Sequence, residues 1–250
     1  MQIFILCIAG FIAAVFDSIA GGGGIITIPA FLALGIPPHF TLGTNKFAAS
    51  WGSFTSTLTF LRSGKIYLPL IKYIIPFTFL GASLGVNTAL RINQKYLQVI
   101  VLVMLAFVSI YTILKKDIGK DDSFEGLDRK KIITGSVIGF ILGFYDGFFG
   151  PGTGSFLLFA FAHFFGFNFT RSTANARILN FTSNFTSLLL FAINGKIIYA
   201  LGIPMAISMV LGARLGSKIA IKQGGKIIKP IFVTMTLLVV IKLFFDTFYG

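Results

Sequence analysis

Most of this chain consists of apolar runs of about 18 to 23 residues, the length of helix that crosses the hydrocarbon core of a bilayer. Its mean hydropathy is +0.88, and only 12% of its residues are charged. Because no water reaches the bilayer core, the backbone of such runs must bond internally, which favours helices. We therefore expect an all-α polytopic membrane protein that contacts the lipid bilayer.

The net charge of +13 would indicate nucleic-acid binding in a soluble protein. In a membrane protein it is explained by Lys and Arg in the cytoplasmic loops, and no nucleic-acid partner is expected. An additional preference for anions along a pathway is the alternative. The single Cys7 excludes an internal disulfide, and no Cys/His cluster indicates a metal or cofactor.

A short acidic and glycine-rich element occurs twice, once in each half of the chain. Asp17 is followed by Gly21 to Gly24, and Asp146 is followed by Gly150, Gly152 and Gly154. Both elements lie inside apolar sequence, where irregular backbone is tolerated only if it is buried in protein or lines a cavity. Paired breaks of this kind in two halves are typical of a transporter's substrate site.

The apolar sequence divides into five segments per half. The second segment of each half is too short to cross a bilayer alone, so we predict a broken or re-entrant pair followed by three spanning helices. The predicted organisation is a first membrane repeat over 1–114, a linker over 115–131 and a second repeat over 132–250. The predicted segments are 2–19, 24–36, 44–62, 68–90 and 96–114, then 132–149, 153–166, 175–194, 198–217 and 229–249.

The spacing of short matching motifs indicates a duplicated unit. For example, Gly81 and Gly85 correspond to Gly212 and Gly216. An odd number of crossings per half would place most loop Lys and Arg residues on one face, as the positive-inside rule requires. We therefore predict inverted repeats in the cell membrane (plasma or inner), with the central linker in the cytoplasm and both termini outside.

Asp17 and Asp146 are the acids that lie deep in apolar sequence. A buried carboxylate is costly, so such residues usually face a cavity or a partner. One hypothesis is that they couple transport to an ion such as a proton, or hold a basic residue in place. The alternative is that each only caps the broken helix by accepting N–H bonds from the glycine turn.

The candidate substrate site combines these breaks with polar and basic residues near the start of the third segment of each half. A broken helix presents free backbone N–H groups and a partial positive charge to an anion. Close helix packing is the alternative role for the glycines, and snorkelling to the interface is the alternative for the basic side chains. The candidates are Gly21, Gly22, Gly23, Gly24, Asn45, Lys46, Gly150, Gly152, Thr153, Gly154, Asn175 and Arg177.

Two motifs of common enzymes are missing. The cluster Gly21 to Gly24 continues into Ile25 and Ile26, so it is not a nucleotide-binding P-loop. The metal-binding motif His-Glu-x-x-His is also absent. We therefore expect that the protein is not an enzyme. The sequence pattern does not indicate its oligomeric state.

Taken together, the acidic glycine elements, Gly43-Thr44-Asn45-Lys46 and Ala174-Asn175-Ala176-Arg177 resemble the TauE/SafE family of membrane transporters over nearly the whole chain. The resemblance implies a secondary exporter of a small sulfur-containing anion, such as sulfite or an organosulfonate, working by alternating access. A passive anion channel could use the same residues and is the alternative. The two halves differ at Pro151 and in the position of the basic residue, so equal contacts from both halves are not expected.

Overall fold

The computed structural model describes residues 2–92 and 122–227, which contain eight helices and no strand. The first half contributes α1 (Gln2–Ala20), α2 (Gly24–Ala33), α3 (Pro38–Arg62) and α4 (Leu68–Arg91). The second half contributes α5 (Arg129–Phe148), α6 (Thr153–Phe165), α7 (Phe169–Ile193) and α8 (Tyr199–Gln223).

Five of these helices are long and apolar enough to cross a membrane, namely α1, α4, α5, α7 and α8. Helices α2 and α6 have 10 and 13 residues and are too short to cross alone. Helix α3 has 25 residues and is long enough, but it has too many polar side chains to count among these apolar helices. The all-α polytopic fold is therefore confirmed.

The third helix of each half begins earlier than the sequence analysis predicted. Helix α3 begins at Pro38, where a proline suits the first turn because its missing N–H needs no partner. Helix α7 begins after Asn168, whose side chain accepts a hydrogen bond from the backbone N–H of Arg171 at 3.0 Å. The expectation that Lys46 and Arg177 open their helices is therefore wrong, because both lie in helix interiors.

Glycines allow two pairs of helices to cross closely. On α4, a Cβ at Gly81 or Gly85 would overlap the backbone of Phe140 or Phe144 on α5. The carbonyl oxygens of α5 therefore approach the α4 backbone directly, as at small-residue crossings in other membrane proteins.

The same kind of crossing joins α8 to α1. A Cβ at Gly212 or Gly216 of α8 would overlap the carbonyl oxygens of Phe11 or Val15 of α1. Each half thus packs its fourth helix on the first helix of the other half. These repeated glycines therefore serve close helix packing.

Hydrogen bonds at the two ends of α7 tie its flanking loops to the linker and to α3. Near its start, Ser123 of the linker donates its backbone N–H to the carbonyl of Gly166 at 2.8 Å. Beyond its other end, Ile198 donates to Thr44 Oγ1 at 3.0 Å. The inversion of the two halves stays a prediction.

Of the predicted linker 115–131, residues 122–131 are described, and Asp122 pairs with Arg171 at 2.7 Å. Asp128 caps α5 by accepting the backbone N–H of Lys131 at 2.6 Å, so this helix begins before the predicted residue 132. The rest of the predicted linker and both predicted fifth segments lie outside the described residues.

Candidate functional site

The first half breaks between α1 and α2 at a glycine turn. Gly21 and Gly22 have φ of 87° and 96°, a left-handed conformation that favours glycine. Asp17, in the last turn of α1, accepts the backbone N–H of Gly23 through Oδ1 at 3.1 Å. The structure therefore gives Asp17 the capping contact that the sequence analysis described as an alternative.

The second half breaks between α5 and α6 in a related way, with different supports. Gly150 and Gly152 have φ of 100° and 85°. The Tyr145 hydroxyl donates to the carbonyl of Pro151 at 2.6 Å, and Thr153 Oγ1 donates to the carbonyl of Gly150 at 2.7 Å. No backbone N–H of this turn reaches Asp146 within the described residues, so here the carboxylate is not a cap.

The two breaks lie against each other. Ser155 at the start of α6 donates its hydroxyl to the carbonyl of Ala20 at 2.8 Å. A Cβ on Gly21 would overlap the backbone of Gly154 and Ser155, and Gly24 lies beside Pro151. The N-termini of α2 and α6 therefore open onto one central region.

Two ion pairs connect the halves through this region. Asp17 accepts from Arg177 Nη1 at 2.6 Å, and Asp146 accepts from Lys46 Nζ at 2.7 Å. Each acid therefore pairs with the basic residue of the opposite half. All four side chains are at least largely buried, with Asp17 the most exposed at 21%. The snorkelling alternative for the basic residues is thus wrong.

The pair between Lys46 and Asp146 is enclosed by polar side chains of α7. Lys46 Nζ also donates to Asn184 Oδ1 at 3.0 Å. Asn180 Nδ2 donates to Asp146 Oδ2 at 3.4 Å, and the Ser183 hydroxyl donates to the same oxygen. A buried ion pair needs such additional hydrogen bonds to offset its desolvation.

Between the breaks and these pairs lies a cavity of about 30 Å³. That space exceeds the roughly 10–15 Å³ that one water requires, so the cavity suits water or a very small ion as it stands. Polar groups of both halves surround it. Its lining comprises Asp17, Gly22, Gly23, Gly24, Thr27, Asn45, Lys46, Ala49, Asp146, Gly150, Gly152, Gly154, Asn180, Asn184 and Met209.

Several donors and acceptors around this cavity have no partner within residues 2–92 and 122–227. Asn45 is 6% exposed, and its Oδ1 is buried without a hydrogen bond. The backbone N–H groups of Gly22, Gly24, Gly152 and Gly154 also donate no hydrogen bond there. Unpaired buried polar groups are costly, so this set is suited to receive a polar ligand.

Four of the predicted site residues do not line the cavity. Gly21 packs against the start of α6, and Thr153 bonds within its own turn. Asn175 accepts the backbone N–H of Tyr67 at 2.8 Å and so ties α7 to α4. Arg177 is completely buried, packs against Gly154 and reaches Asp17 instead.

Sequence reasoning missed Ser183 at this site. Ser183 lies among the polar positions 177, 180 and 184, which share a face of α7 at helical spacing, yet nothing in its local motif singles it out. Arg214 on α8 is exposed and does not line the cavity. Among the described residues, no three His, Cys, Asp or Glu side chains could hold a metal.

The spanning helices, the paired breaks and the central polar cavity define a multi-pass membrane protein whose polar site lies at helix interruptions. The sequence profile described as "Sulfite exporter TauE/SafE" matches residues 6–243. The chain belongs to this family of membrane transporters.

Bacterial relatives match this chain over nearly its full length. A "Probable membrane transporter protein" of Haemophilus influenzae is 38% identical over 242 residues, which are 97% of this chain and 94% of that protein. The "Probable membrane transporter protein YfcA" of Escherichia coli K12 is 39% identical over 247 residues, covering 98% and 88%. "Probable membrane transporter protein YunE" of Bacillus subtilis is 23% identical and covers 100% of both chains. No solved structure matches significantly.

Proposed function

We propose that this protein is a secondary exporter of a small sulfur-containing anion, such as sulfite or an organosulfonate, that works by alternating access. The family name suggests sulfite, and the names of the bacterial relatives give the transporter class without a substrate. The site in this chain supplies the chemical argument for an anion.

The observation that carries the proposal is the convergence of unpaired donors from both halves. Backbone N–H groups at the starts of α2 and α6 remain free at one cavity, as described above. Helix N-termini carry partial positive charge and bind oxyanions through such groups. Lys46 adds a full positive charge to the same lining. Oxyanions of sulfur present the acceptor oxygens that these donors require.

Different residues would act in different ways on the anion. Lys46 and Asn45 line the cavity and would contact the substrate. Arg177 would act through Asp17, keeping the first glycine turn in place, and Asn175 would hold α7 against α4. These two side chains are therefore proposed as positioning residues.

The cavity of about 30 Å³ is too small for an organosulfonate in the described conformation. Binding would require the helices around it to separate, and movement of one repeat or bundle against the other is the usual form of alternating access. Because the two breaks contact each other across the halves, such movement would open the site to one side at a time.

Counterflow in proteoliposomes tests the proposal. Purified full-length protein is reconstituted, the vesicles are loaded with one unlabelled anion, and uptake of the labelled anion is followed. Sulfite, methanesulfonate, sulfate and taurine form the test set. We expect transient uphill accumulation of labelled sulfite or sulfonate when the same anion is inside. A passive channel would give equilibration without accumulation, and absence of flux for every anion would refute the proposed function.

A further inference from the structure

The charges around the cavity are already balanced. Two carboxylates, Asp17 and Asp146, and one ammonium, Lys46, line it. Arg177 pairs with Asp17 from behind Gly154. An anion that entered this arrangement would leave one net negative charge in a largely buried site, which is strongly unfavourable. One carboxylate must therefore be neutralised when an anion is bound.

The two ion pairs differ in their access to the cavity and in their chemistry. Lys46 and Asp146 both line the cavity, with side chains 3% and 2% exposed. Arg177 does not line it, and its partner Asp17 also accepts the N–H of Gly23. Protonation of Asp17 would weaken the glycine turn, whereas protonation of Asp146 would release an ammonium toward the cavity.

The neighbours of Asp146 can accept an added proton. When Asp146 is ionised, the Ser183 hydroxyl donates to its Oδ2. The same hydroxyl lies 3.1 Å from the carbonyl of Asn180 and 3.2 Å from that of Leu179. Ser183 can therefore turn its hydrogen to the backbone and accept a hydrogen bond from protonated Asp146, so neither group is left unpaired.

Among the described residues, other charged groups near Asp146 do not balance the charge of a bound anion. On α7, Arg177 is held by Asp17, and Arg171 pairs with Asp122 near the linker. The titratable side chains of α4 and α6, the other helices packed on α5, are exposed. The neighbouring Tyr145 donates to Pro151. Those exposed side chains of α4 and α6 are Lys72, Tyr73, Arg91 and His163.

We infer that Asp146 takes up one proton for each monoanion bound, so that Lys46 exchanges its carboxylate partner for the substrate. The proton adds to the Asp146 carboxylate, the ammonium keeps its charge, and the substrate supplies the negative charge that Asp146 loses. The net charge of the site is unchanged, and proton and anion cross together without net current. Asn180, Ser183 and Asn184 act as positioning residues for this exchange. The inference rests on the proposed function.

The test measures protons and charge for each anion in the parent protein. Full-length protein in proteoliposomes transports methanesulfonate, a strong-acid monoanion, while an internal dye reports pH and a solid-supported membrane reports current. We expect one proton per anion, no transport current and no dependence on a clamped membrane potential. A current without a pH change overturns the inference. So does a protein that carries sulfite but not methanesulfonate, because an ammonium released by protonation accepts either monoanion.

Matched variants locate the proton. In Asp146→Asn the ratio of protons to anions should fall to zero and transport should become electrogenic. The double variant Asp17→Asn and Arg177→Met removes the other ion pair whole, keeps the site balanced, and should keep a ratio of one. Ser183→Ala, which preserves both charges, should shift the pH profile of transport relative to the parent. A ratio of one in Asp146→Asn, or a ratio of zero in the double variant, would contradict the assignment. Absence of all anion flux in the parent refutes the proposed function instead.

Discussion

Asp17 of α1 and Arg177 of α7 form an ion pair of 2.6 Å in which the arginine is completely buried. They lie in opposite halves of the chain, and the same carboxylate holds the backbone N–H of Gly23. This one acid therefore links the first helix break to a spanning helix of the second half. Arg177 Nε and Nη2 have no partner within the described ranges, so the guanidinium depends on Asp17.

Removing the arginine should destabilise the protein. Arg177→Met leaves the Asp17 carboxylate buried without its cation, and breaking a buried pair costs about 3–5 kcal/mol. Thermal unfolding in detergent should show a clear drop in Tm. Arg214→Met is the control, because Arg214 is exposed and makes no ion pair among the described residues. Asp17→Asn combined with Arg177→Met should recover much of the loss; equal Tm for parent and Arg177→Met would contradict the role of the pair.

The contact between the breaks predicts unequal effects at two glycines with similar backbone angles. Gly21 and Gly35 have φ of 87° and 76°. A Cβ at Gly21 would overlap the start of α6, whereas nothing lies within 4 Å of one at Gly35. Gly35→Ala should cost only the left-handed strain, about 1–2 kcal/mol.

Gly21→Ala should lower the free energy of unfolding considerably more, because its Cβ would overlap backbone atoms, which cannot rotate aside as a side chain can. The yield of monodisperse protein and its Tm in detergent measure the difference. Similar values for the Gly21→Ala and Gly35→Ala proteins would mean that the two helix breaks do not pack as described.

The predicted topology can be checked with two exposed loop positions at opposite ends of α7. Cys7 is first replaced to remove background labelling. Glu125→Cys in the linker should be protected from an impermeant thiol reagent added to intact cells, whereas Asn194→Cys should react. Both should react after the cells are made permeable. The reverse pattern in intact cells would place the linker outside and contradict the predicted orientation.

Sequence reasoning reached the helical class and the family because both depend on patterns spread along the chain. Apolar runs predict spanning helices whatever their neighbours. The breaks at Asp17 and Asp146 could be located because acids and glycines are conspicuous in apolar sequence. The helix starts at Pro38 and Phe169 were missed, since polar first turns carry no apolar signal.

The partners within the site could not be read from the sequence. Motif matching aligned Lys46 with the region of Arg177 and placed both side chains at the substrate, although equal contacts were not expected. In the structure each pairs with the acid of the other half, and only Lys46 lines the cavity. Such pairing depends on how the halves pack, over separations of 100 and 160 residues along the chain.

The central claim is that an anion binds between the helix breaks against Lys46. It is tested by sulfite counterflow with the double variant Lys46→Met and Asp146→Leu. Replacing both members of a buried pair by apolar residues is often neutral for stability, so this protein should fold with a Tm near that of the parent. We predict that it loses sulfite exchange, while Arg214→Met exchanges at the parental rate. Exchange at the parental rate by the folded double variant would contradict the account.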